Sequence, residues 1–448
     1  MTQLARLTTK QYRGAFIIVT SLFFMWGFIT VLVDGLIPRL RDVFELTYFQ
    51  AGLVQFAFFT AYALVSIPSG MLIARIGYKK GVVVGLLTMG VGCLLFFPAA
   101  ELRIFGVFLM ALFVLASGIT ALQVAANPYV ASLGPAAGAP SRLNLSQAFN
   151  SLGTTIAPLV AAAFILGAEV LTPAQIEAMA EAEQAAYYAQ EASAVQGPFI
   201  VLAVVLFLLA LVFTLSRLPR ILEGDDDRHG SYRRALKLPH LVLGAVAIFV
   251  YVGAEVAIGS YLVIYFLNLD IEMLVAGSPL LHGMASTLSG ASPAELNPAR
   301  LAGTFVFFYW GGAMVGRFIG SFILRFVPAG RLLAIYACVA IALLAVTMST
   351  GGSIALASVL AVGLFNSIMF PTIFTLGIAD TGENTAQASG ILCTAIVGGA
   401  FIPPLYGLIA DQTSLQVAFL LPIACYLYIV FYGLRGSRIG VSRTLGVA

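Results

Sequence analysis

ALQVAANPYVASLGPAAGAPSRLNLSQAFNSLGTT, residues 121–155, sets carboxamides in the middle of two otherwise apolar runs joined by a short Gly/Pro loop. At about 100° per residue, Thr120, Gln123 and Asn127 fall within about 60° of one helical face, and Gln147, Asn150 and Thr154 do the same on the next run. An amide offers paired donors and acceptors, which suits the vicinal hydroxyls of a sugar, and it costs less in lipid than a charge. The stretch therefore reads as two polar stripes facing each other across a hairpin, a polyol site inside a membrane bundle. The plainer alternative is that these amides tie neighbouring helices together.

Composition makes the membrane reading necessary. Of 448 residues, 60% are hydrophobic and only 10% charged, and the mean hydropathy is +0.99; soluble domains carry about 25% charged residues. Runs long enough to span, about 20 residues each, occur near 14–37, 49–74, 80–99, 104–132, 143–167, 197–216, 240–268, 301–324, 331–350, 353–378, 386–410 and 415–434, twelve in all. With the N-terminus inside, 18 Lys and Arg fall on the inner side and four on the outer, while Arg317 lies within a span. That asymmetry places both termini in the cytoplasm. The first apolar run lacks a small-residue cleavage site and reads as a retained helix. Prolines 38, 68, 128, 158, 371 and 403 are expected to bend their spans.

The same census excludes other classes. No basic face for nucleic acid is present. Cys93, Cys338, Cys393 and Cys425 stand alone without CxxC spacing and read as free thiols. His229, His240 and His282 sit in loops or at a helix boundary, and no GxSxG, HExxH or Walker pattern occurs, so the chain does not read as an enzyme. Asp225, Asp226 and Asp227 belong to a charged stretch that reads as a solvated linker rather than a metal site. Thr172-Pro-Ala-Gln175 and Ser292-Pro-Ala-Glu295 carry capping-box signatures in the two long outer loops, where short surface helices are expected.

Only Asp34 and Glu255 place a carboxylate well inside a span. On insertion scales such a charge costs about 2.5–3.5 kcal/mol, so its default reading is functional. Asp34 is a candidate for a coupling proton, with a wetted helix end as its plainer reading. Glu255 has Tyr251 and Gly259 one turn to either side, a phenol, a carboxylate and an open space that suit a ligand; its plainer reading is a structural pair with Arg317, unless Arg317 snorkels to the inner surface. Trp26, Thr30, Tyr62, Tyr309, Trp310 and Asn366 are further candidates, Trp26 or Tyr309 for stacking on a sugar ring. Gly312, Gly316 and Gly320 read as close helix packing.

An internal repeat organises the spans. Pro128 to Gly134 matches Pro371 to Gly377 at an offset of 243, Gly153 and Pro158 match Gly398 and Pro403 at 245, and Gly70 with Arg75 matches Gly320 with Arg325 at 250. Six spans return a chain to its starting side, so the repeats are parallel. The expected organisation is a six-helix bundle over residues 1–216, a cytoplasmic linker over 217–239 and a second six-helix bundle over 240–448.

QVAANPYVASLG and RLNLSQAFNSLG, with YVGAEVAIGSYL in span seven and PTIFTLGI in span ten, resemble the fucose:proton symporter family of the major facilitator superfamily, closest to its glucose/galactose permease branch. The resemblance implies an all-α membrane fold of two six-helix bundles, a central sugar site and alternating access by rocking of the halves. It implies roles for Asp34 in proton coupling and for Gln147 and Asn150 in sugar binding. The family's span-four Glu is Gln123 here, and the span-seven Gln of the fucose member is Glu255. In GMLIARIGYKK, Ala74 stands where the superfamily usually has Asp.

The resulting expectation is a cation-coupled hexose importer of a bacterial inner membrane, favouring glucose or galactose, with no cofactor and the proton as coupling ion. Sodium is the alternative. Asp34 and Glu255 handle coupling; Gln123, Asn127, Gln147, Asn150, Glu255, Tyr251, Trp26, Tyr309 and Asn366 contact sugar. The expected partners are the hexose and the lipid bilayer, with the chain a monomer. A drug exporter and a sugar sensor without transport are the rivals.

Overall fold

In a bilayer core every backbone N–H and C=O must be satisfied within the chain, and a helix does this segment by segment. The apolar runs accordingly fold as helices, and no strand occurs among the described residues. The structure is a computed structural model that describes residues 9–43, 48–102, 104–164, 179–216, 218–219 and 230–439; for residues 9–12, 32–43, 48–55, 100, 158–164, 181–182, 185–186 and 188–195 it describes the backbone alone.

The first helices are α1 (Thr9–Val43), α2 (Tyr48–Ile76), α3 (Tyr78–Leu102), α4 (Phe105–Ala131), α5 (Ala139–Phe164) and α6 (Glu181–Leu215). They are followed by α7 (Pro239–Asn268), α8 (Pro298–Ile323), α9 (Ala329–Ser349), α10 (Gly352–Asn366), α11 (Met369–Gly377), α12 (Thr385–Thr394), α13 (Gly398–Gln412) and α14 (Leu420–Leu434). Eleven candidate spans long and apolar enough to cross a membrane lie among the described residues. The remaining expected run, 143–167, corresponds to α5. Leu64, Leu208 and Leu211 stand more than half exposed, as side chains facing hydrocarbon do.

Two compact units result. The first comprises Met1–Gly134, Leu152–Tyr232 and Gly382–Thr394. Within it α3 packs on both α4 and α6, where Phe96 and Phe199 stack at 4.0 Å, and α2 packs on α4 and α12. A single residue joins α2 to α3: Gly77 takes φ 85°, a left-handed conformation that a side chain would strain, and its N–H bonds Ile73 O at 2.8 Å. The second unit comprises Pro135–Ser151, Arg233–Thr381 and Ala395–Ala448. There α7 packs on α8, α11, α13 and α14, and α9 packs on α10 and α14.

Each unit thus includes a segment from the other end of the repeat. Segment 135–151 lies in the second unit and segment 382–394 in the first, offset by 247 residues at their starts and 243 at their ends. These offsets match the sequence repeat. Ser141 Oγ donates to Ser321 O at 2.6 Å and Asn144 Nδ2 to Thr372 Oγ1 at 3.2 Å, holding the first segment on α8 and α11. Ser389 Oγ donates to Val124 O at 2.8 Å, holding the other on α4.

Two local expectations need correction. The Ala/Glu-rich run after Ala180 is not a separate surface helix: it is continuous with span six as the 35-residue α6, because no breaker precedes Gly197-Pro198 and Ala and Glu favour helix. Thr172 to Gln175 lie outside the described residues. Ser292-Pro-Ala-Glu295 caps no helix: Ser292 makes no side-chain cap, and a 3-10 turn, Pro293–Glu295, follows it. The nearby Pro298 forces the residue before it to be extended; Asn297 takes φ −67° and ψ 154° and itself caps α8 by accepting from Arg300 N at 2.8 Å.

Candidate functional site

In the first unit the amide stripe of α4 is inside. Gln123 is nearly buried and donates from Nε2 to the Tyr62 phenol of α2 at 2.5 Å. One turn on, Asn127 is fully buried, and neither its Nδ2 nor its Oδ1 has a hydrogen-bond partner. A buried unsatisfied amide costs about 1–3 kcal/mol, so a position that keeps one has a reason to do so. Trp26 is buried on α1 with its ring 5.4 Å from Phe23, and Thr30 donates to Trp26 O at 2.9 Å. Asp34 lies within α1, but its side chain lies outside the described residues.

Pro128 adds a second polar feature to α4. Proline has no N–H to give to the carbonyl four residues back, here Val124 O. Ser389 Oγ of α12 supplies that donor.

The second unit holds a denser network centred on Asn366, the last residue of α10. Its Nδ2 donates to the Tyr309 phenol at 2.8 Å, its Oδ1 accepts from the Tyr426 phenol at 2.7 Å, and its carbonyl accepts from the Tyr251 phenol at 2.9 Å. All four side chains are buried. Glu255, one turn beyond Tyr251 on α7, is only part-buried and interacts with Tyr251 and with the Arg317 guanidinium. Arg317 does not snorkel: Nε donates to Ser367 O at 3.1 Å and Nη1 donates to Ser151 Oγ. Gln147, buried on the α5 segment of this unit, accepts at its carbonyl from Ser151 Oγ at 3.1 Å, and Asn150 is part-exposed.

The structure therefore joins Gln123 to Tyr62 and gathers Tyr251, Tyr309, Asn366 and Glu255 in one neighbourhood. The open space expected beside Gly259 is filled: a Cβ there would lie 2.8 Å from the Trp310 ring. Gly312 and Gly316 do serve close packing, since α8 meets the backbone of α10 there. Tyr426, Ser367, Ser151 and Ser389 were not singled out in the sequence. Ser367 could have been, because it stands four residues before Pro371; a lone Tyr or Ser in an apolar run carries no such signal. No group of three or more His, Cys, Asp or Glu that could hold a metal occurs among the described residues. All four cysteines are free.

Comparisons with known proteins agree with this architecture. The model of the Major Facilitator Superfamily matches residues 14–396. A glucose/galactose transporter of Brucella abortus is 50% identical over 433 residues, 96% of this chain and 95% of that one. An L-fucose-proton symporter of Escherichia coli is 33% identical over 434 residues, 95% and 93% of the two chains. The crystal structure of the transporter FucP in the outward conformation superposes with a TM-score of 0.84 at 31% identity, covering 96% of this chain and 100% of that one.

Proposed function

Since the chain belongs to the major facilitator superfamily, we propose that this multi-pass inner-membrane sugar transporter imports hexoses of the glucose/galactose type by alternating access, driven by protons. Both termini lie on the cytoplasmic side in this reading. The similarity to a glucose/galactose transporter over nearly the whole chain supports the substrate class. The similarity to an L-fucose-proton symporter supports the coupling ion.

The observation that carries the site is Asn127, a wholly buried carboxamide whose donors and acceptor are left without protein partners in a chain otherwise economical with polarity. Sugar hydroxyls complement such a group. Gln123, Asn127, Gln147, Asn150 and Glu255 supply the hydroxyl contacts, with Trp26 stacking on the ring. Tyr251, Tyr309 and Asn366 complete the set as a surface already tied together by hydrogen bonds. Asp34 carries the coupling proton, and Glu255 shares in coupling.

One feature favours a second reading, sodium coupling: the break between α10 and α11 frees carbonyls, as discontinuous transporter helices do where they coordinate cations. Uptake of [14C]-glucose into proteoliposomes decides. Accumulation under an imposed pH gradient without sodium is the expected result; accumulation only under a sodium gradient overturns the proton assignment, and no flux in either overturns hexose transport.

A further inference from the structure

α10 ends at Asn366 and α11 begins at Met369, and the cause of the break is legible in covalent chemistry. Pro371 has no N–H and its ring crowds the carbonyl four residues back, so Ser367 O is left without a helical donor. A carbonyl stranded at membrane depth has to be satisfied from elsewhere in the protein. Arg317 of α8 does it, Nε to Ser367 O at 3.1 Å, while Nη1 reaches Ser151 Oγ. The absence of a side chain at Gly316 makes the approach feasible, since a Cβ there would lie 2.5 Å from Ser367 Oγ. Ser367 Oγ is itself fully buried with no hydrogen-bond partner, and the part-buried Glu255 carboxylate interacts with the same guanidinium.

Freed carbonyls, hydroxyls and a nearby carboxylate are the oxygens with which broken transporter helices coordinate an alkali ion. Here a fixed positive charge already stands among them. We infer that Arg317 is the built-in cation of the span-ten break, a positioning residue that holds the Ser367 carbonyl and the Ser151 hydroxyl in place of an alkali ion. Its removal leaves a site for Na⁺ formed by Ser367, Ser151 and Glu255. The inference deepens the proton-coupled reading above and rests on it for its consequence, that this unit turns over without sodium.

The test uses purified full-length protein without sugar, comparing its unfolding temperature in sodium chloride and in choline chloride of equal ionic strength. Wild type and Arg317→Lys are expected to be indifferent to the cation. Arg317→Met is expected to be stabilised by sodium by about 3 °C or more, as a ligand bound only to the folded state requires. Adding Glu255→Gln to Arg317→Met abolishes that response. A folded Arg317→Met, or Arg317→Gln if the former does not fold, that ignores sodium overturns the inference, and so does a wild type that responds like the variant. Glucose binding to wild type, measured alongside, keeps the two readings apart: its absence in every salt refutes the sugar assignment and leaves the sodium result standing.

Discussion

Gln123 donates to the Tyr62 phenol at 2.5 Å, fastening α4 to α2, and Asn366, 243 residues on, donates to the Tyr309 phenol at 2.8 Å, fastening α10 to α8. The offset is that of the internal repeat. The same amide-to-phenol bond has therefore been kept in both units at matching places in span four and span ten.

Tyr62→Phe removes the acceptor and leaves a buried Gln123 N–H unpaired, which costs about 1–3 kcal/mol. Gln123→Leu in the same background removes the stranded amide as well. Thermal unfolding of the two single variants and the double is expected to show the double less destabilised than the sum of the singles; strict additivity would mean that the bond contributes nothing.

Asn127→Leu is expected to move stability and binding in opposite directions. Replacing an unpartnered buried amide by a side chain of similar size relieves a desolvation penalty, so the sugar-free protein holds or gains stability. Hexose affinity falls by about 1–3 kcal/mol, roughly 5- to 150-fold. A variant that loses stability and keeps its affinity shows instead that Asn127 serves packing.

Asp34→Asn is expected to abolish accumulation against a gradient while sparing hexose exchange across proteoliposomes. Exchange requires sugar binding and the conformational cycle but no net proton movement. Gln147→Ala should weaken hexose binding by about 1–3 kcal/mol in the same preparation. Concentrative uptake by Asp34→Asn removes the proton role, and unchanged affinity in Gln147→Ala removes that side chain from the sugar's contacts.

Ser389→Ala takes the donor from Val124 O, the carbonyl that Pro128 leaves bare. Destabilisation of about 1–3 kcal/mol is expected. Pro128→Ala restores a helical N–H at the same carbonyl, so the Ser389→Ala penalty should shrink in that background. Equal penalties with and without Pro128 would show that the serine does not compensate for the proline.

Tyr232 bears on the linker. Its hydroxyl donates to Ile67 O at 2.6 Å, and burial pushes the phenol well above its usual range, with Cys393 nearby adding to the effect. A raised value means that the neutral donor persists below the ordinary phenol value of about 10 and that the bond's contribution is lost only as pH rises beyond it. Tyr232→Phe is therefore expected to speed tryptic cleavage of the linker to the same extent at about pH 6 and about pH 9. A difference that disappears at either pH would mean that another group governs the docking.

The span pattern was open to reading because lipid imposes it: length, hydropathy and the distribution of Lys and Arg follow from bilayer thickness and charge. Glu255, Tyr251, Tyr309 and Asn366 stand out in the sequence because polarity inside a span is conspicuous. Which of them bond each other was not accessible, since Tyr309 and Asn366 lie 57 residues apart in the chain and meet only through helix packing. The break at span ten was read as a mere bend at Pro371, whereas the end of α10 lies at Asn366 because the proline acts on the turn before it. Trp310 filled the space beside Gly259 for a similar reason: a glycine marks room, and the sequence does not say what takes it.

The reciprocal placement of residues 135–151 and 382–394 has a consequence for how the chain can be divided. Fragments severed at the connecting segment would each emerge short of one piece, and would become whole only by finding their counterpart.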